Sequence, residues 1–75
     1  MPALPSDLSG RQVRAALERA GFVFRRQRGS HMVLRRAAPY ARVVVPDHKQ
    51  VRQGTLRRIV SDAGLSVDEF TQLLG

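Results

Sequence analysis

The chain has no cysteine, so it can form neither a disulfide nor a thiolate metal site, and it suits a reducing cytosol. Two histidines and six carboxylates leave little from which to build a structural zinc site. The longest purely apolar stretch is a few residues around positions 43–45, far too short to span a bilayer. No apolar stretch of signal-peptide type stands near the N-terminus, so a cytoplasmic protein without membrane association is expected. No Gly-rich phosphate cradle is present. Asp47, Asp62, Asp68 and Glu69 are scattered, which does not support a two-carboxylate or two-metal nuclease site. With 75 residues the chain has room for one domain, one thin core and one working surface, and a large enclosed cofactor pocket is not expected.

What the chain has is positive charge. Thirteen Lys and Arg face six Asp and Glu, a formal net charge of +7. All thirteen lie between Arg11 and Arg58, opposed in that span only by Glu18 and Asp47. Twelve of them are Arg, whose planar fork grips phosphates and stacks on bases. The implied partner is a polyanion, most simply nucleic acid. The plainer alternative is a solvated surface kept soluble by charge.

Residues 1–8 contain two prolines and read as a loose arm. Ser9 and Gln12 have capping-box spacing, and Leu8 with Val13 has staple spacing, so a helix is expected to start at Ser9. Val13, Ala16, Leu17 and Ala20 form its apolar stripe, and Gly21 is its stop signal. Alternation predicts strands over 22–27, 30–36 and 41–45, with turns at Arg28-Gly29 and across 37–40, and Pro46 ending the third. Residues 47–53 read as a polar loop. A second helix is expected over 54–63, striped by Leu56, Ile59, Val60 and Ala63 and ended by Gly64. Ser66 and Glu69 form another capping box, with Leu65 and Phe70 as its staple, and open a short last helix.

The expected fold is therefore α+β: one domain over 9–75, a three-stranded antiparallel sheet with helices on one face. Phe22, Phe24, Met32 and Leu34 would meet Val13, Leu17, Leu56, Ile59 and Val60 in the core. The other sheet face would be left free. This α-β-β-β-α order is the one seen in double-stranded-RNA-binding domains, although architecture alone does not settle function.

Strand alternation turns His31 away from Met32 and Leu34, hence away from the core. It follows Gly29-Ser30 just past a turn, with Arg25, Arg28 and Arg35 within a few positions. A neutral imidazole is matched to taking a proton at neutral pH. RNA supplies its own nucleophile, the 2′-hydroxyl, so a base, a phosphate clamp and help for the leaving oxygen would suffice. His48, beside Lys49 in the loop after the third strand, could touch the phosphate chain or be oriented by Asp47; a loop histidine that packs or caps locally is the bland alternative. Gly54 and Thr55 open the second helix, where free N–H groups suit phosphate, or simply an ordinary cap. Arg57 and Arg58 flank that end. Arg14 and Arg19 would join the basic surface or form the solvated face of the first helix. Of the aromatics, only Tyr40, in a turn, is placed to stack on a base.

The ordered set of motifs resembles the HicA toxins, small messenger-RNA interferases of toxin–antitoxin pairs. The resemblance runs from about Ser9 to Phe70. It rests on Ser9-Gly10, Gly21-Phe22, Gly29-Ser30-His31, Pro46-Asp47-His48, Gly54-Thr55-Leu56-Arg57-Arg58-Ile59 and Ala63-Gly64-Leu65-Ser66. It implies a double-stranded-RNA-binding-like fold and metal-independent RNA cleavage without a cofactor. The family's essential histidine falls on His31. His48 matches a family position, with no catalytic role carried over. The family also implies a HicB antitoxin, and hence a monomer when free and a hetero-oligomer with the antitoxin. The proline-containing arm departs from the family pattern.

The leading expectation is thus an endoribonuclease toxin that cleaves mRNA, with His31 as general base, or as general acid in the reverse sense. Arg25 and Arg35 would hold the phosphate, and Ser30 or the Gly29–Ser30 backbone would steady developing charge. Arg28, His48, Lys49 and Thr55 complete the expected RNA-binding set. The rival reading is a module that binds RNA and blocks translation without cutting; sequence-specific DNA binding is a weaker third.

Overall fold

The structure, a computed structural model, describes residues 4–74. The elements run α1 (Gly10–Arg19), β1 (Val23–Arg28), β2 (His31–Ala37), β3 (Tyr40–Pro46), α2 (Gln53–Asp62) and α3 (Val67–Leu73). The sheet is antiparallel, in the order β1-β2-β3. The fold is the α+β arrangement expected, with α1 and α2 packed on the sheet and α3 against α1.

Local chemistry explains the helix boundaries. The Ser9 hydroxyl accepts from the Gln12 N–H at 3.1 Å, and the Gln12 side chain accepts from the Ser9 N–H at 2.8 Å. Ser66 and Glu69 repeat this at α3, at 3.0 and 2.8 Å. Both boxes satisfy amides that have no partner inside the helix. At the other end of α1, Gly21 takes φ 94°. The Phe22 N–H then donates to the Leu17 carbonyl and the Gly21 N–H to that of Glu18, both at 3.1 Å. This Schellman closure folds Phe22 back onto the helix.

The inner sheet face carries Met32 opposite Val45 and Leu34 opposite Val43, all nearly or fully buried. They join Val13, Leu17, Phe22, Leu56, Ile59, Val60 and Phe70 in one core. Phe24 reaches this core only in part: it is half-buried, with the Arg14 guanidinium 4.0 Å above its ring.

Two expectations are corrected. The arm is not loose over residues 4–8. Leu4 and Leu8 are core residues, and the Leu8 carbonyl accepts from the Val51 N–H at 2.7 Å. The Gln53 amide donates to the carbonyls of Leu4 and Pro5, and the Gln50 amide to that of Ser6. Two isolated leucines four positions apart, one on each side of Pro5, show no sustained period, yet each buries enough apolar surface to hold the segment. Residues 1–3 of that arm lie outside the described residues. The expected polar loop is also more than polar: Val51 is fully buried, and Gln53 already belongs to α2.

Candidate active site

β1 and β2 are joined by Gly29-Ser30, with Arg28 and His31 as the last pair across the hairpin. Gly29 holds φ 57°, a region that a side chain disfavours. His31 is therefore the first residue of β2, exposed on the outer sheet face and paired with Pro46 of β3. Beside it an open groove of about 620 Å³ runs between β3 and α2. The sheet lends His31, Arg42, Val44 and Pro46 to its walls; the following loop lends His48, Gln50 and Arg52; and α2 lends Thr55, Arg58, Ile59 and Asp62. His31 and His48, the chain's two histidines, thus line the same groove.

The loop carrying His48 is tied down from several directions. The Asp47 N–H donates to the Ser30 carbonyl at 2.6 Å, and the Gly10 N–H donates to the His48 carbonyl at 2.9 Å. A Cβ on Gly10 would overlap the Pro46 carbonyl, so only glycine lets the start of α1 come this close. The Asp47 carboxylate accepts from Arg11 at 3.2 and 3.4 Å and from the Gln27 amide at 3.2 Å. These bonds, Arg11's first, hold its carboxyl below the usual carboxylate range. Asp47 thus serves α1 and β1, and its carboxylate hydrogen-bonds there and not to His48.

Unlike α1 and α3, α2 has no side-chain cap: Arg52 precedes it without a capping hydrogen bond. Thr55 in its first turn faces the groove. Ordinary capping is therefore not what occupies this end.

The other expected site residues separate. Arg25 and Arg35 line a neighbouring depression of about 270 Å³ with Arg26, Val33 and Arg42. Arg42 is common to both hollows and joins them. The Ser30 carbonyl is taken by Asp47, and that of Gly29 accepts from the Gln27 amide at 3.0 Å. Arg28 and Lys49 are exposed and line neither hollow. On α1, Arg14 pairs with Glu18 and stacks on Phe24, and Arg19 donates to the Leu73 carbonyl at 2.6 Å. Both are structural.

Sequence reasoning missed Arg26, Arg42 and Arg52. Strict alternation in β1 assigns Arg26 to the core side, but the register shifts between Phe24 and Arg26. Arg42 enters only through its pairing with Arg35, which no local pattern announces. Among the described residues no three His, Cys, Asp or Glu side chains gather where they could hold a metal ion.

Fold and surface together define a small α-β-β-β-α domain whose free sheet face is strongly cationic. The model of the family described as HicA toxin of bacterial toxin-antitoxin matches residues 10–65, and the chain belongs to that family. No curated protein matches the chain. No helix among the described residues is long and apolar enough to cross a membrane.

Proposed function

We propose that the protein is an endoribonuclease toxin that cleaves messenger RNA at the groove between β3 and α2, with His31 as its general base. The observation that carries this reading is the exposed His31 imidazole in one groove with Arg42, Arg52, Arg58 and Thr55. The base takes the proton of the substrate's 2′-hydroxyl. The freed oxygen attacks the adjacent phosphorus, the bond to the 5′-oxygen breaks, and a 2′,3′-cyclic phosphate and a 5′-hydroxyl result. The arginines neutralise charge on the phosphate as it passes through the crowded intermediate geometry. Arg25, Arg26 and Arg35 hold the flanking strand on the sheet face. A HicB-type antitoxin, supplied with acidic surface, covers this face and forms the resting hetero-oligomer.

The test is cleavage of a messenger RNA in excess chelator by the parent and by His31→Ala. The parent yields fragments, and the variant is slower by about 10²–10⁴-fold, the usual worth of an acid–base group. Equal rates would remove His31 from the mechanism. Intact RNA with a mobility shift from both proteins would leave a module that binds without cutting. Co-expression with an acidic neighbouring gene product is expected to suppress the parent's activity.

A further inference from the structure

We propose that His48 is the general acid of this site, protonating the 5′-oxygen that leaves as His31 deprotonates the 2′-hydroxyl. The inference rests on the nuclease reading and completes it, since one base alone leaves the departing alkoxide without a proton.

The placement follows from the backbone. His31 is paired across the sheet with Pro46, and His48 lies two residues further along the same chain. Paired antiparallel Cα atoms are about 5 Å apart and two residues span at most about 7 Å, so the two backbones stand within roughly 12 Å. Asp47 turns inward to Arg11 and Gln27, whereas Pro46 and His48 line the groove. The two bonds bracketing the loop, from the Asp47 N–H to Ser30 and from the Gly10 N–H to His48, set its backbone against both the hairpin turn and α1. The groove that the two histidines line is also lined by Arg42 and Arg52. A phosphodiester held by them would present its 2′-oxygen side to one imidazole and its 5′-oxygen side to the other.

The step balances. The 2′-hydroxyl proton passes to neutral His31, the bond from the 2′-oxygen to phosphorus forms, and the bond from phosphorus to the 5′-oxygen breaks. The 5′-oxygen takes its proton from cationic His48. His31 ends protonated and His48 neutral, and solvent exchange restores both.

The experiment compares two RNAs of the same sequence. One is ordinary; the other carries a bridging 5′-sulfur at the cleavage site first mapped with the parent protein. A thiolate departs without needing a proton. Parent, His31→Ala, His48→Ala and His48→Gln are assayed on both, each checked by circular dichroism. His48 is exposed, so its variants are expected to fold. His48→Ala and His48→Gln are expected to cleave ordinary RNA about 10²–10⁴-fold more slowly and the sulfur-bridged RNA within a few-fold of the parent. His31→Ala loses both. Equal losses on the two substrates in the His48 variants would reduce His48 to a binding group and overturn the assignment, as would ordinary cleavage by either variant. A parent that cleaves neither RNA would instead sink the nuclease reading and this assignment with it.

Discussion

Substituting Gly10 by Ala tests how the loop that carries His48 is held. Gly10 opens α1, and a Cβ there would run into the carbonyl of Pro46, a backbone atom that cannot swing aside. Forcing such an overlap in a packed region costs about 1–3 kcal/mol. For a domain of this size each kcal/mol lowers the melting temperature by about 4–8 °C. Gly10→Ala is therefore expected to melt roughly 5–20 °C below the parent. The natural comparison is Gly54→Ala in the first turn of α2, where an added Cβ meets nothing within 4 Å. There only the helix-propensity gain of up to about 1 kcal/mol remains, and stability should rise. The two substitutions have the same chemistry at the start of a helix, so their difference isolates the overlap. Thermal unfolding followed by far-ultraviolet circular dichroism measures both. Because relief must come from moving residues 46–48, Gly10→Ala should also lose RNA cleavage at a temperature where it is folded. A Gly10→Ala variant as stable as Gly54→Ala would refute the close approach.

Three further outcomes follow from named contacts. Asp47 is held below the usual range by Arg11 and Gln27, and Glu69 by the Ser66 backbone and hydroxyl. A depressed carboxylate stabilises the fold above its unfolded value, about 3.9 for Asp and 4.3 for Glu, and that contribution fades as pH falls through the lower folded value. Asp47→Asn should thus lose less stability than the parent as pH falls below about 4, and parallel curves in acid unfolding would contradict this. Arg42→Gln should lower the salt dependence of RNA binding by about one unit of log–log slope, while Arg57→Gln, exposed and lining neither hollow, should leave it unchanged. Fluorescence anisotropy across a salt series decides it, and equal slopes for the two variants would remove Arg42 from the phosphate contacts. Phe70 lies beyond the family match yet is fully buried. Phe70→Ala should cost about 3–5 kcal/mol, a large share of the roughly 4–11 kcal/mol available to 75 residues, and a denaturant midpoint close to the parent's would show that α3 is dispensable.

The helices were legible because their signals are local. Ser9 with Gln12 and Ser66 with Glu69 are each complete within four residues, and Gly21 and Gly64 stop helices by their own backbone freedom. The strands were legible as alternation, and His31 was assigned to the open face by its neighbours Met32 and Leu34 alone. What escaped was whatever depends on a distant partner. Leu4 and Leu8 became core through Val51 and Gln53, more than forty positions away. The groove itself could not be read, since the sheet, the loop and α2 each supply walls that only the tertiary arrangement brings together.

The bulge in β1 shows how one unreadable feature reorganises several readable ones. Val23 and Phe24 pair with Arg35 and Leu34, but Arg26 pairs with Val33, so Arg25 is an extra residue on that strand. Without it, Arg26 and Arg28 would point toward the core side and Gln27 toward solvent. With it, the parity reverses: Arg26 and Arg28 take the outer face with Arg35 and Arg42, and Gln27 takes the inner side opposite Met32. From there the Gln27 amide reaches the Asp47 carboxylate, which Arg11 of α1 grips from the other side. Arg11 is 79% exposed, so solvent screens this ion pair and it contributes little stability. Its effect is geometric. It fixes Asp47 inward at the root of the loop from which His48 lines the groove with His31. The same extra residue that keeps two arginines out of the core therefore also sets a contact that ties down the loop carrying the second histidine.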